Sequence, residues 1–477
     1  MRSVFRALFV LAVSVAVFSC VLAKDVDAKH AMRDLDDVFS KSDTKAREKI
    51  IGKLEGDTLD LAAAEAARAH ALQLQREAPR KLPKLDEAFE GALDYQYEVV
   101  TRKTTYKTFA LLDLPDGLSK DKPAPLLIGL HSDLGTGWRE MQALRTCSRY
   151  APELKDCIIA CPNALNRGNT ADDPRENTSG AREYFGWGPK REGIDSVFNL
   201  IDKLLAEYNI DRDRVYLEGG PGMGSEAVFH LAMLRPSQFA AICVRDSLPP
   251  LYYTDLEPKA DLDALRKAGT LGEQKVEFPW VECYRNTAVF WVHGDDDKTA
   301  PTAHAHQARD AMKDAGVPLE YIEYEGGHAS GSTPTIAKAL QGCVKVKRNP
   351  LPVSITARGV REDKASLGNG RNYWVEITKE SYQGKKGDWP YQIFAGGKVT
   401  VTADKETNTL TITTDDVKEI RVYLTDDLLY LDREIKLVVN GKERTATATR
   451  ELKTLAETAS NFTPTGEAYT AVLTINT

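Results

Sequence analysis

Between Pro125 and Val292, five short apolar runs recur, each separated from the next by a stretch of helical periodicity. The runs are Leu126-Leu127-Ile128-Gly129-Leu130, Cys157 to Ala160, Val215-Tyr216-Leu217, Ala240 to Val244 and Ala288-Val289-Phe290-Trp291-Val292. A strand with one wet face alternates apolar and polar residues, so an unbroken run must be covered on both faces. Ile194, Val197, Phe198, Ile201, Leu204 and Leu205 share one helical face, and Ala227, Val228, Leu231 and Leu234 share another. Buried strands alternating with amphipathic helices predict an α/β domain over 94–348, its mostly parallel sheet flanked by helices. Glu98 to Leu112 has β character and predicts an opening hairpin.

The flanks read differently. Residues 24–93 are highly charged, with Leu61, Ala64, Ala67, Ala71 and Leu74 at helical spacing, which predicts a helical extension that packs on the next domain or on a partner. Asn349 to Pro352 reads as a linker. Beyond it, Thr409-Leu410-Thr411-Ile412-Thr413 alternates, Ile420 to Leu424 and Ile435 to Val439 follow, and Asn440-Gly441 is a hairpin signal because both residues accept positive φ. Residues 353–477 are therefore expected to form an antiparallel β-sandwich-like domain or small barrel.

At the start, Arg2 and Arg6 precede the apolar run Ala7 to Val21, and Val21-Leu22-Ala23 offers a small-residue exit before Lys24. That pattern predicts a signal peptide over 1–23 and a secreted, periplasmic or cell-envelope protein. An uncleaved anchor would need about 20 apolar residues, and Phe18 suits a lipoprotein signal at Cys20 badly. No later stretch is apolar enough to span a membrane. A net charge of −7 without a long basic run speaks against nucleic acid. Six cysteines remain after the signal, compatible with buried thiols or with bridges, and none has structural-zinc spacing.

Asp213-Arg214-Val215-Tyr216-Leu217-Glu218-Gly219-Gly220-Pro221-Gly222-Met223-Gly224 resembles the strand, nucleophile elbow and helix of α/β-hydrolases, particularly secreted esterases and prolyl-oligopeptidase-like peptidases. Leu130-His131-Ser132-Asp133-Leu134-Gly135 resembles their His-Gly oxyanion loop, and Gly186-Trp187-Gly188-Pro189 before the helix around Asp195 is also similar to these enzymes. Val292-His293-Gly294-Asp295-Asp296-Asp297 resembles the turn carrying the acid, and Glu325-Gly326-Gly327-His328 the loop carrying the catalytic His. The order elbow, acid, His is that of the fold. The resemblance implies Asp297 and His328 as acid and base, with the amides of Ser132 and Met223 as the oxyanion hole. Each motif alone reads as an ordinary turn; their order after successive buried strands is what carries the resemblance.

The elbow lacks its nucleophile. Gly222 stands where the family has Ser, and counting from the strand places Pro221 there instead. Neither has an atom that attacks a carbonyl, while His and acid alone have only water to activate. Ser225, Ser132, Ser247, Ser330 and Cys161 are the displaced candidates, and Ser225, about one helical turn past Gly222, suits a helix start better than a crevice. Trp138, Trp187, Tyr252 and Tyr253 follow strands and suit a pocket, and Trp374, Trp389 and Tyr391 suit either a carbohydrate face or a core. Asn177-Thr178-Ser179 and Asn461-Phe462-Thr463 fit the glycosylation pattern. Three readings follow: an impaired hydrolase that binds an ester, peptide or saccharide; an active hydrolase using a displaced Ser or water; and a structural envelope protein. None calls for a cofactor or metal.

Overall fold

The computed structural model describes residues 23–77, 85–100, 105–119, 122–133, 135–164, 187, 191–256, 260–362, 365–366, 370–381, 393–462 and 464–477. Residues 1–22 of the expected signal, Leu134, Gly186, Gly188, Pro189, the Asn177 sequon, Thr463, Trp389 and Tyr391 lie outside them.

Three helices open the chain: α1 (Ala28–Phe39), α2 (Thr44–Ile51) and α3 (Leu61–Glu77). Asp27 caps α1 by accepting the His30 amide, and Asp60 does the same for Ala63 at the start of α3. Ala63, Ala64, Ala67 and Ala71 of α3 are buried with Ala31, Leu35 and Val38 of α1 and with Leu452, Leu455, Ala456 and Ala459 of the C-terminal helix α10 (Leu452–Asn461). The extension thus packs on the last helix of the chain. The helical reading to about Leu93 is corrected: after α3, Glu87–Phe89 (β1) and Ala92–Val100 (β2) are strands, turned at Gly91 with φ +81°. Tyr95, Tyr97 and Val99 bury alternate positions of β2, a period-2 signal that the charge of this region obscures.

The strands β3 (Thr105–Asp113), β4 (Ala124–Leu130), β5 (Ile158–Pro162), β6 (Ile210–Gly219), β7 (Ala241–Arg245), β8 (Ala288–Gly294) and β9 (Leu319–Tyr324) complete a nine-stranded sheet ordered β9-β8-β7-β6-β4-β5-β3-β2-β1. β4 to β9 run parallel, and β3, β2 and β1 add antiparallel strands at one edge, including the expected β2–β3 hairpin.

The apolar runs are buried on both faces. Leu126, Ile128, Leu130, Val215, Leu217, Ile242, Val244 and Trp291 bury beside α5 (Arg191–Glu207), α6 (Met223–Leu234) and α8 (Thr302–Asp314). Leu127, Ile159, Tyr216, Ala241, Cys243, Phe290 and Val292, one residue out of step, bury beside α4 (Gly137–Cys147) and α9 (Thr333–Cys343). The domain is an α/β-hydrolase-type fold, with its crossover turns gathered at the carboxyl ends of the strands. The six described cysteines are free and buried, which answers the disulfide question among the described residues.

The C-terminal region holds two sheets around a separate core that includes Trp374, Val399, Ile412, Ile420 and Leu437. Its hairpin turns at Asn440 and Gly441, with φ of +48° and +79°. Among the described residues pairing here is antiparallel except between Thr409–Asp415 and Ile435–Val439, which run parallel because the strand Val417–Leu424 crosses to the other sheet between them. Trp374 is fully buried and donates its indole N–H to the Pro352 carbonyl at 2.7 Å, a core role and not a carbohydrate face. Buried Arg348 joins the two regions, donating to Asp213 at 2.9 Å and to the Thr465 carbonyl at 2.6 Å. Among the described residues no helix is long and apolar enough to cross a membrane.

Candidate active site

The turn from β6 into α6 is made by backbones that pass too closely for side chains. A Cβ on Gly224 would meet the Leu130 carbonyl oxygen at 2.2 Å, and one on Gly220 would meet the Ser132 nitrogen at 2.7 Å. Gly222 differs. Its φ and ψ are +71° and −114°, a left-handed, sharply turned conformation, yet a Cβ there would find only ordinary contacts. These are His328 Nε2 at 3.4 Å, His328 Cε1 at 3.7 Å and Asp133 Oδ2 at 4.0 Å. Of the two positions open in the sequence, Gly222 is the one whose missing side chain faces His328.

Nδ1 of His328 lies 2.8 Å from Asp297 Oδ2. The carboxylate accepts, so Nδ1 carries the proton and the Nε2 lone pair is turned toward Gly222. Asp297 is held in turn: its Oδ1 accepts the amides of Thr299 at 2.8 Å and Ala300 at 2.9 Å, and its side chain is fully buried. Burial works against a charge on His328, but the hydrogen bond and negative charge of Asp297 outweigh it, helped by Asp246 and Asp133, so its pKa stands above the usual histidine value.

A residue that sequence reasoning passed over assembles these parts. Asp246 follows β7 with φ +46°, and its carbonyl accepts the Gly222 amide at 3.2 Å. Its carboxyl accepts the Gly294 amide at 3.0 Å, the Tyr324 hydroxyl at 2.9 Å and the Ala329 amide at 3.2 Å. One side chain thereby ties together the end of the acid-bearing strand and the His loop, while its backbone holds the elbow. The only sequence signal was its position at a strand end.

The oxyanion loop is similarly fixed. His131 is buried, with Nε2 accepting the Ala164 amide at 2.9 Å and Nδ1 donating to the Ser132 carbonyl at 2.8 Å. Burial lowers its pKa to about 4, so it is a neutral structural group. Ser132 N lies against Gly220, and Met223 begins α6, which brings both expected amide positions to the elbow. Trp187 donates its indole N–H to the His131 carbonyl at 3.0 Å and packs edge-on to that ring.

The displaced nucleophiles do not reach His328. Ser225 is buried behind the elbow, donating to the Gly219 carbonyl at 2.7 Å and accepting the Arg245 amide at 2.7 Å. It bonds backbone groups, although at the ends of β6 and β7 and not at the helix amides. The Cys161 thiol is buried under Gly129, and burial raises its pKa well above the ordinary range. Ser132 Oγ turns to the Asp133 carbonyl at 3.4 Å, and Ser330 is held by its amide to the Tyr324 hydroxyl at 3.1 Å. Ser247 is buried at the cavity wall. Among the described residues, Asp297 is the hydrogen-bond partner of the His328 ring.

A cavity of about 190 Å³ opens over Gly222 and His328, walled by Leu248, Leu251, Tyr252, Tyr253 and Trp280. Tyr252 and Tyr253 thus line it as expected, whereas Trp138 is buried against the other face of the sheet. Two further carboxyls face this space, Asp133 and Glu226. Burial, reinforced by Asp133, pushes Glu226 up to about 7 against the opposing Arg266. Neither was assigned a role from the sequence, although Glu226 lies four residues past Gly222, one helical turn on.

Asp246, His293 and Asp297 bring ligand-type atoms within 4.8 Å of one another. Most of their hydrogen-bonding capacity is committed, although the buried Nδ1 of His293 has no hydrogen-bond partner among the described residues. Asp297 serves two amides and His328, Asp246 serves two amides and Tyr324, and His293 Nε2 lies 3.0 Å from the Ala300 carbonyl.

Residues 188–342, which span the elbow, Asp297 and His328, match the prolyl oligopeptidase family. No curated protein matches the sequence. Among solved structures the chain is similar to a thermostable esterase at 19% identity, over 55% of this chain and 64% of that one, with a TM-score of 0.36. It is also similar to the acylaminoacyl peptidase of Pyrococcus horikoshii (13% identity, 55% and 43% covered, TM-score 0.37) and to esterase Est2 of Thermogutta terrifontis (16%, 56% and 95%, 0.39). The chain spans less than two thirds of the first two. The fold of the domain rests on its strand order and the order of its turns, and the family match covers less than half of the chain.

Proposed function

We propose that this chain, whose central domain has the α/β-hydrolase-type fold, is an exported protein that binds an ester, peptide or saccharide ligand over Gly222 without forming an acyl-enzyme. The observation that carries the reading is the pairing of an assembled acid–His dyad with a glycine at the one elbow position where a side chain has room. Serine-type acyl transfer begins with an attacking oxygen at that position, and glycine supplies none. The cavity favours an acyl or aromatic group between Tyr252, Tyr253 and Trp280, with Met223 in its wall and the Ser132 amide beside Gly220 of the elbow. Asp297 and His328 keep the acid and base roles that the family resemblance implies, toward water alone.

Binding is tested by ligand-observed NMR with acyl esters, dipeptide amides and acetylated sugars, on the wild type and on the cavity-filling Leu251→Trp variant. Saturable binding to the wild type that Leu251→Trp loses is the expected result; binding by no class, or binding indifferent to Leu251, contradicts the reading. Export is tested separately: the N-terminus of protein recovered outside the cytoplasm is expected to be Lys24, and an intact Met1 there contradicts cleavage.

A further inference from the structure

We propose that Asp133 is a catalytic residue: with His328 it holds a water molecule over Gly222 and makes the crevice a slow, water-type esterase. The inference rests on the reading above, that the crevice binds a carbonyl ligand and forms no acyl-enzyme.

Two polar atoms from different loops converge on one point. The place of a Gly222 Cβ lies 3.4 Å from Nε2 of His328 and 4.0 Å from Oδ2 of Asp133. A water oxygen forms good hydrogen bonds at about 2.7–3.0 Å, so a molecule resting above the glycine reaches both atoms with a small displacement. Both atoms are acceptors: Asp133 is a carboxyl, and His328 carries its proton on Nδ1, toward Asp297. A water with both hydrogens engaged turns its lone pairs away from them, toward the cavity in which the ligand carbonyl would sit. With His328 alone, one hydrogen is left free and the lone pairs wander. The glycine is part of the device, because a side chain at 222 would occupy the water's place.

The step balances without a further reactant. The water oxygen bonds to the carbonyl carbon while its proton passes to Nε2 of His328, and the amides of Ser132 and Met223 face the developing oxyanion. Collapse of the tetrahedral adduct breaks the carbon–oxygen bond of the ester, and the leaving alkoxide takes the proton from His328. Asp133 takes part as a carboxylate that accepts a hydrogen bond; burial raises its pKa from the ordinary carboxylate value, and the charge of His328 works the other way. Asp133 is exposed at the rim, so its substitution leaves the core untouched.

Charge supplies a second readout. The groups that face His328 are Asp297 and His293 from the acid strand and its turn, Asp246 from the end of β7, and Asp133 from the oxyanion loop; beyond Asp133 stand Glu226 and Arg266. Asp133 helps hold the imidazolium, so removing its charge moves the pH at which His328 becomes a free base downward.

The experiment follows p-nitrophenyl acetate hydrolysis by the full chain, with ester binding measured in parallel, for wild type, D133N, D133E and H328A. The wild type is expected to release nitrophenolate linearly from the first turnover. H328A and D133N each lower kcat at least tenfold with KM changed less than twofold, D133E recovers part of the loss, and D133N moves the acidic limb of the profile to lower pH. D133N within twofold of wild type, with an unmoved limb, overturns the proposal. A wild type no faster than H328A while the ester still binds also overturns it, and leaves the binding function standing. Failure of ester binding overturns the binding function as well, and a burst of nitrophenolate overturns the statement that no acyl-enzyme forms. Should D133N unfold, as judged by circular dichroism, the rate and pH limb of D133S, which also lacks the charge, decide by the same criteria.

Discussion

Nε2 of His328 stands 3.4 Å from the point a Cβ on Gly222 would occupy, while Nδ1 of the same ring is 2.8 Å from Asp297. The imidazole is therefore oriented by its acid and aimed at an amino acid that has nothing to offer it. That relationship separates the architecture of a serine hydrolase from its chemistry.

The elbow glycines are expected to respond unequally to alanine. A Cβ at 224 collides with the Leu130 carbonyl at 2.2 Å and one at 220 with the Ser132 nitrogen at 2.7 Å, backbone atoms that cannot yield without moving a strand or loop. G220A and G224A should lose more than about 3 kcal/mol, or fail to fold, whereas G222A pays for its positive φ alone, about 1–2 kcal/mol. Urea unfolding of the three variants checks the ranking. Equal losses at all three positions would contradict the special openness of 222.

Stability should carry the signature of Glu226. Its pKa is about 7 in the folded chain against 4.5 for an unperturbed carboxyl, so the folded state binds the proton more tightly. The cost of ionising it in place is absent below pH 4.5, grows between 4.5 and 7 and is complete above 7. E226Q should match the wild type at pH 4 and exceed it by roughly 1–3 kcal/mol at pH 8. Chemical unfolding at both pH values is the check, and a difference independent of pH would sink the assignment.

Tyr324 is predicted to hold the His loop. Its hydroxyl lies 2.9 Å from Asp246, 3.0 Å from the Gly327 carbonyl and 3.1 Å from the Ser330 amide. Y324F should cost about 1–3 kcal/mol, because the buried carboxyl of Asp246 loses a bond. It should also speed amide exchange at Ala329 and Ser330 more than in the strands. Hydrogen exchange read by mass spectrometry distinguishes this local loosening from a uniform loss.

The thiols give a further check. Six cysteines are buried and free, and burial raises every one, Cys147, Cys157 and Cys283 to about 12. Native protein should be nearly inert to an aromatic disulfide reagent at pH 8, and denatured mature protein should release six thiols. Fewer than six would mean bridges, and seven would mean that Cys20 is retained.

The parallel sheet was legible because runs such as Leu126 to Leu130 admit no wet face, and the order elbow, acid, His because each motif follows such a run. Asn440-Gly441 announced its hairpin through backbone preference alone. Other features depend on partners remote in the chain. Nothing in the alanines of α3 names Leu452 and Leu455 as their cover, and no local pattern shows that Thr409–Asp415 pairs in parallel with Ile435–Val439. Asp246 and Asp133 were invisible as functional groups for the same reason: each looks like a polar residue in a loop until the fold brings Gly294, Ala329 and Gly222 to it. Local spacing encodes faces and turns, while a site made at the ends of several strands is encoded only in their order.

The most direct measurement is covalent labelling by a fluorophosphonate, read by intact mass, on wild type, G222S and G222S combined with H328A. The account predicts an unlabelled wild type, a single adduct at position 222 in G222S, and its loss when His328 is removed. A labelled wild type, or a G222S protein that folds and stays unlabelled, would contradict the claim that Gly222 is the one piece missing from an otherwise assembled site.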